Sequence, residues 1–269
     1  MKDNTRTFVI KCGGSTLAAL PNTFFDDLRL LLEEGWLPVI VHGGGPAINE
    51  TLDKLGIESR FEGGLRVTSP EVLDVVEMVL SGKINKEIVR KLQAAGAPAV
   101  GLSGVDGGLI EAVPVENADQ VGLVGDVVRV NSTLLAGIAG LGYIPVISPI
   151  GTDAAGTGNG RYNINADTAA GAVASAIGAS KLIVVTDVPG ILKTTAEGKQ
   201  VLSAVTESDI EDMIQNGEIY GGMIPKVKAA LACLHGQVKE VVIVDGAQPG
   251  VLRRTLLVGD TGTRLLREG

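Results

Sequence analysis

Aromatic side chains are scarce. Phe, Trp and Tyr together make up 3% of the 269 residues, so any core must be built from Val, Ile, Leu and Ala. An aliphatic interior suits a parallel sheet buried on both faces by helices, whose strands read as short unbroken apolar runs. Cysteine is nearly absent: Cys12 and Cys233 are too few for a disulfide framework, and neither belongs to a metal-spaced cluster. Two reduced thiols in a cytoplasmic protein are expected. There is no basic stripe, and a formal net charge of -8 argues against a nucleic-acid partner. No run approaches the ~20 apolar residues of a membrane span. The polar start, Met1 to Arg6, carries no secretory signal pattern. Two nucleotide fingerprints are missing as well. No Gly-x-x-x-x-Gly-Lys-Ser/Thr loop occurs, and no Gly-x-Gly-x-x-Gly follows a strand and opens a helix. A doubly wound oxidoreductase is thereby disfavoured.

What the chain does contain is glycine in particular places. Lys11-Cys12-Gly13-Gly14 and His42-Gly43-Gly44-Gly45-Pro46 each end a short apolar run and lead into a helical pattern. A strand that empties into glycines and then a helix offers bare backbone N–H groups to an anion. A third stretch, Gly221-Gly222-Met223-Ile224-Pro225-Lys226, opens a helix and delivers a lysine to its first turns. Two anion cradles and two placed lysines in an acidic protein suggest a phosphate-handling site.

Periodicity supplies the frame. Strands are predicted over 8–12, 37–42, 98–102, 143–148, 181–186 and 241–244. Helices are predicted over 23–34, from Pro46 to Gly56, from Ser69 to about Ala95, and over 132–141, 166–177, 207–216 and 224–235. Segments 109–115 and 122–130 read as β-hairpins at an edge. Gly151 to Gly160 reads as a mobile loop or flexible lip, and Lys193 to Lys199 as an exposed turn. The alternation predicts an α/β fold, a three-layer α-β-α sandwich with a mainly parallel central sheet and edge hairpins in the N-terminal half. A soft boundary near 170–180 divides the chain into an N-terminal lobe, 1–175, and a C-terminal lobe, 176–269.

Taken singly, the candidate residues have plain alternatives. Lys11 at a strand end can simply reach solvent. Gly43, Gly44 and Gly45 can be a tight turn, although three glycines exceed what a turn needs. Asn165 and Asp167 can be an N-cap and a first-turn charge. Arg66 can be a solvated surface charge.

Their order along the chain says more. Lys-x-Gly-Gly, His-Gly-Gly-Gly-Pro, Gly-Leu-Arg-Val-Thr, Asn-x-Asn-Ala-Asp, Thr-Asp-Val-x-Gly-Ile-Leu and Gly-Gly-Met-x-Pro-Lys together resemble the amino-acid kinase family. The Gly-Leu-Arg-Val-Thr segment and Ser81-Gly82-Lys83-Ile84-Asn85-Lys86 look most like its branch that acts on N-acetyl-L-glutamate. The resemblance implies transfer of the γ-phosphoryl of ATP, with Mg²⁺ held mainly by the nucleotide phosphates, to that substrate's side-chain carboxylate. Lys11 and Lys226 are then expected to stabilise the migrating phosphoryl group, with Asp167 orienting them. Gly44 and Gly45 are expected to donate backbone N–H bonds, and Arg66 and Asn163 to hold the α-carboxylate end of the acceptor. The nucleotide is expected against Gly13, Gly14, the run Asp187, Val188, Pro189, Gly190, Ile191 and Leu192, and the run Glu218, Ile219 and Tyr220. No protein metal ligand is expected. The first strand starts at once, without the extra N-terminal helix of arginine-inhibited members, which implies a homodimer. A sister kinase with a carrier-linked aminoadipate acceptor, or a catalytically silent nucleotide-binding regulator, are the alternatives.

Overall fold

The computed structural model describes residues 6–156, 160–195, 198–220, 223–234, 238 and 240–266, without the side chains of residues 15, 17, 18, 194, 195, 199, 225, 226 and 229. Strand β1 (Thr7–Cys12) is followed by helices α1 (Gly14–Ala19) and α2 (Asn22–Glu33), then β2 (Leu37–His42) and α3 (Gly45–Leu55). Gly56 ends α3 with φ +70°, the left-handed cap that glycine adopts without penalty. A small hairpin, β3 (Phe61–Glu62) and β4 (Leu65–Arg66), precedes α4 (Pro70–Glu77). The Ser69 side chain caps α4 by accepting from the Val72 N–H at 3.2 Å.

The helix predicted from Ser69 to Ala95 is continuous in direction but not in register. A π-helical segment, Met78–Ile84, lies between α4 and α5 (Asn85–Ala94). Next come β5 (Ala99–Ser103), β6 (Ile110–Pro114), the short α6 (Ala118–Val121), β7 (Gly125–Val130), α7 (Ser132–Gly140) and β8 (Ile144–Ser148). The stretch expected to be a mobile loop contains a strand. β9 (Ile150–Asp153) pairs antiparallel with β10 (Arg161–Asn163), Thr152 opposite Arg161. Its Gly-rich composition hid a pairing that the register reveals; residues 157–159 lie outside the described residues.

The second half runs α8 (Ala166–Ala176), β11 (Lys181–Thr186), β12 (Leu192–Thr195), β13 (Gly198–Val201), β14 (Ala204–Thr206), α9 (Glu207–Gln215), α10 (Met223–Leu234), β15 (Val241–Asp245), α11 (Val251–Arg253) and β16 (Thr263–Leu266). In the segment expected as an exposed turn, 193–199, β12 and β13 pair antiparallel with Thr195 opposite Gly198; residues 196 and 197 lie outside the described residues.

The described strands form an eight-stranded sheet in the order β14-β16-β15-β11-β1-β2-β8-β5. All its neighbours are parallel except β15 and β16. The hairpin strands β6 and β7 join β9 and β10 in a separate four-stranded sheet. Alternate residues of β1 serve opposite faces. Phe8, Ile10 and Cys12 pack with Leu28 and Leu31 of α2, Leu52 of α3, Val76 of α4 and Leu92 of α5. Val9 packs on the other side with Val173 of α8, Ile210 of α9, Val227 of α10 and Ile110 of the small sheet. Each fully buried Leu or Ile contributes roughly 1.5–3 kcal/mol, so aliphatic residues carry most of the core, with Phe8, Phe24 and Phe25 buried among them on the α2 face.

Candidate active site

Parallel strands all point their carboxyl ends the same way. Cys12 stands level with His42 of β2 and with Val185 of β11, so the loops after these three strands share one edge of the sheet. The chain runs from β1 through β2 to β5 and β8 on one side of the sheet, and later crosses to β11 and β15 on the other side of β1. Such a switch point opens a crevice where α/β proteins bind ligands.

Two glycine loops meet in that crevice. A Cβ on Gly14 would fall 2.7 Å from Gly44 Cα and 2.9 Å from Gly44 N, so neither backbone tolerates a side chain between them. Gly44 is also packed from behind: its Cβ would overlap Ile84 Cδ1 and come within 2.6 Å of Leu80 Cδ2. Gly45 has open space where a Cβ would be. The loops are close-packed at Gly14 and Gly44 and open at Gly45, where α3 begins.

Lys11 is the penultimate residue of β1, and its side chain leaves on the α8 face. Its Nζ lies 2.9 Å from Asp167 Oδ1, with about a fifth or less of either side chain exposed (15% and 22%). Asp167 is positioned by the start of α8, where the Asn165 side chain accepts from the N–H groups of Asp167 at 2.8 Å and Thr168 at 3.2 Å. The small residues of α8 let α10 come close. A Cβ on Gly171 would stand 3.0 Å from Cys233 Sγ, and that thiol donates to the Asp167 carbonyl at 3.5 Å. Lys226 belongs to the first turn of α10, and its side chain lies outside the described residues, as do Gly221 and Gly222.

Arg66 is buried, against the alternative of a solvated surface charge. The guanidinium donates to Ser59 Oγ and, at 3.5 Å, to the Gly45 carbonyl, and it stacks 4.7 Å above the Phe61 ring. Burial pulls its pKa down. Among the described residues no carboxylate pairs with it, so a buried cation faces the open end of the glycine loop with only neutral partners. Such a group is a receptor for a carboxylate or phosphate oxygen. Asn163 joins the same corner. Its amide donates to Thr68 Oγ1 at 3.1 Å, and Thr68 in turn donates to the Arg66 carbonyl at 2.7 Å. Ser59 was not singled out in the sequence, and Thr68 stood there only as the end of the Gly-Leu-Arg-Val-Thr motif; the fold reveals that they hold Arg66 and Asn163.

On the other side of the crevice, Thr186 ends β11 and its hydroxyl accepts from the Val188 N–H at 3.2 Å. Asp187 is exposed and Val188 and Pro189 are half-buried. Gly190 has φ +142°, and its Cβ would lie 2.5 Å from Thr263 Oγ1, so this loop is clamped on β16. Ile191 and Ile219 bury their side chains in the core and donate their N–H groups to Thr263 Oγ1 and the Met213 carbonyl, while Leu192 is half-buried and Glu218 and Tyr220 are exposed.

Burial pushes both thiols, Cys12 and Cys233, up to about 12, so neither is a thiolate nucleophile. The chemistry left to the site is anion binding: backbone N–H groups, placed cations and one carboxylate.

A model of the amino acid kinase family matches residues 6–245. The chain belongs to that family. This member of the amino acid kinase family is 56% identical to the acetylglutamate kinase of Geobacillus kaustophilus over 90% of each chain. It is 49% identical to the acetylglutamate kinase of a Geobacillus species, over 96% of this chain and 98% of the relative. A crystal structure from Streptococcus mutans, 31% identical, superposes with a TM-score of 0.82 over 97% of this chain and 98% of that one. As a kinase of this family the chain uses ATP.

Among the described residues no group of three or more His, Cys, Asp or Glu side chains could hold a metal ion. Magnesium readily keeps waters and phosphate oxygens as ligands instead of an all-protein cage. No helix among the described residues is long and apolar enough to cross a membrane.

Proposed function

We propose that this kinase transfers the γ-phosphoryl of ATP to the side-chain carboxylate of N-acetyl-L-glutamate, forming an acyl phosphate on the route to arginine. The relatives of 49–56% identity bring the substrate, and the buried Arg66 beside Gly45, with no carboxylate partner among the described residues, carries the assignment to this chain. A glutamate side chain, with an ordinary pKa of about 4.3, is already ionised at neutral pH. It needs no general base, so the paucity of histidine is no obstacle.

The difficulty is bringing a dicarboxylate to a polyphosphate. Arg66 and Asn163 hold the α-carboxylate end of the acceptor, well away from the reacting oxygen. Gly44 and Gly45 donate backbone N–H bonds to the acceptor and the phosphoryl group. Lys11 and Lys226 bracket the migrating phosphoryl and neutralise charge that spreads over its oxygens in the transition state. Asp167, 2.9 Å from the Lys11 ammonium, orients that lysine and, on this proposal, Lys226 as well. Gly13 and Gly14, the 187–192 loop and the 218–220 segment receive the nucleotide, whose phosphates hold Mg²⁺ with water. On this reading residues 1–175 bind the acceptor and carry the dimer contact of a homodimer, and residues 176–269 bind ATP.

Hydroxylamine trapping of the acyl phosphate tests this directly. ATP-dependent hydroxamate is expected with N-acetyl-L-glutamate and not with glutamate, aspartate or aminoadipate. Preference for aminoadipate would move the chain to a sister activity, and ATP binding with no acceptor at all would make it a regulator.

A further inference from the structure

Behind the second glycine loop lies a buried polar chain that the mechanism above does not use. His42, the last residue of β2, is fully buried, and its Nδ1 lies 3.1 Å from the Gly43 carbonyl oxygen. Its Nε2 lies 3.2 Å from the Asn85 Nδ2 amide. Asn85 is fully buried as well. The same amide donates to the Val146 carbonyl at 2.9 Å and the Leu102 carbonyl at 3.2 Å. Lys86 Nζ closes the chain, donating to Asn85 Oδ1 at 2.9 Å and to the Gly101 carbonyl at 3.1 Å. The Gly43 carbonyl can only accept, so the proton sits on Nδ1 and His42 donates to Gly43, which leaves Nε2 as an acceptor facing the Asn85 amide. Burial keeps the ring neutral, with its pKa lowered to about 4.

Three features show that room was made for this chain. A Cβ on Gly101 would overlap Asn85 Oδ1 and come within 2.7 Å of Lys86 Nζ, so β5 carries glycine where the network passes. The π-helical register of Met78–Ile84 ends at Asn85, and it sets Leu80 and Ile84 against the back of Gly44. π-Segments of this kind recur at functional sites. Finally, no polar atom of His42 or Asn85 lacks a neighbour: the two Asn85 amide protons are shared among the Val146 and Leu102 carbonyls and His42 Nε2, and a satisfied buried network rigidifies rather than destabilises.

The consequence is geometric. The Gly43 carbonyl and the Gly44 N–H belong to one planar trans peptide and point in opposite directions. Holding the carbonyl toward His42 aims the Gly44 N–H away from the core, on the side of the loop that Gly14 packs against. We infer that His42 and Asn85 are positioning residues: they fix the Gly43–Gly44 peptide plane, and with it the backbone donors of the loop, before substrate arrives. This rests on the proposed role of Gly44 and Gly45 in phosphoryl transfer. It adds that the loop's aim is set from beneath by side chains that never touch the substrate.

The test uses Asn85→Ala, which removes the amide, and Gly101→Ala, which crowds Asn85 from the far side. Each is measured in the full chain for kcat, for both KM values and for amide hydrogen exchange of the ligand-free loop peptide, 42–50. In both variants kcat is expected to fall about tenfold or more, because small misplacements of transition-state donors are costly. Both KM values should stay within about threefold, and exchange should rise in the loop peptide while the strands keep theirs. Folded variants with wild-type kcat overturn the inference. So does unchanged loop exchange, and so does loss of the whole fold in both variants, which would make the network a scaffold part only. Should the wild type phosphorylate none of the acceptors, the functional reading fails, and the exchange measurement still decides whether the brace exists.

Discussion

The Lys11 ammonium and the Asp167 carboxylate stand 2.9 Å apart across the β1–α8 contact. The pair is partly sheltered, so its value lies in orientation more than in stability; exposed pairs contribute about 1 kcal/mol or less. Lys11→Ala removes a cation whose interaction strengthens only as charge develops on the phosphoryl oxygens. The expected loss is ~10²–10³ in kcat with little change in either KM. Asp167→Asn keeps the shape and loses the charge, so Lys11 is held less firmly and kcat should fall by about tenfold or more. Steady-state kinetics of both variants check this, and unchanged turnover in Lys11→Ala would remove the role.

Arg66 offers a different signature. Its contacts to Ser59 and the Gly45 carbonyl and its stacking on Phe61 all depend on a planar guanidinium. Lysine cannot reproduce them. Arg66→Ala and Arg66→Lys should both raise KM for N-acetyl-L-glutamate, by about ten- to a hundredfold for loss of one charge-assisted bond, leaving the KM for ATP alone. A rise confined to the ATP KM would place the acceptor pocket elsewhere.

Much of this site can be read in the sequence because its parts are backbone features with local signals. Gly13, Gly14 and Gly43 to Gly45 follow apolar runs, Asn165 caps a helix, and Thr186 ends a strand; each signal spans a few neighbouring residues. What escapes is whatever depends on tertiary partners. Helix α1 is too short for a periodic pattern, and its Gly14-Ser15-Thr16 start is weakly helical. The π-segment is invisible to a search at a fixed 3.6-residue period, because one extra residue per turn merely looks like a continuing helix. β9 and β10 are four and three residues long, too short to alternate, and Gly151 and Thr152 read as loop. Asn85 did carry a signal. It lies on the buried stripe of α5 with Ile88 and Leu92, and a polar side chain on such a stripe must find partners.

Gly14 and Gly44 make a matched pair of predictions. In Gly44→Ala the new methyl meets the Ile84 and Leu80 side-chain tips, which can be trimmed. The variant should lose ~1–3 kcal/mol of stability, and Ile84→Val or Leu80→Ala should recover part of it. In Gly14→Ala the methyl meets the Gly44 backbone itself, 2.7–2.9 Å away, and no side-chain trimming can relieve it. Gly14→Ala should therefore be inactive in either background. Equal rescue of both by the Ile84 change, in denaturant titrations and activity, would contradict the packing described for the two loops.

The neutral, buried His42 makes stability depend on pH with a definite sign. Its pKa falls from an ordinary 6.5 to about 4 in the folded protein, chiefly because burial disfavours the imidazolium and secondarily because Lys86 lies near, against the opposing pull of the Gly43 carbonyl. Between those values the unfolded chain binds a proton at this position and the folded chain does not. Folding stability is therefore untouched above pH 6.5, falls as pH drops from 6.5 toward 4, and loses nothing further from this group below that. The full loss amounts to about 3 kcal/mol, because each pH unit across that window is worth ~1.36 kcal/mol. His42→Gln lacks the titration, so its stability should decline less steeply than the wild type over that window, whatever the carboxylates contribute to both. Urea unfolding at intervals across the window measures the difference. Parallel curves for the two proteins would mean that His42 is not held neutral, and the acceptor role assigned to its Nε2 would have to be withdrawn.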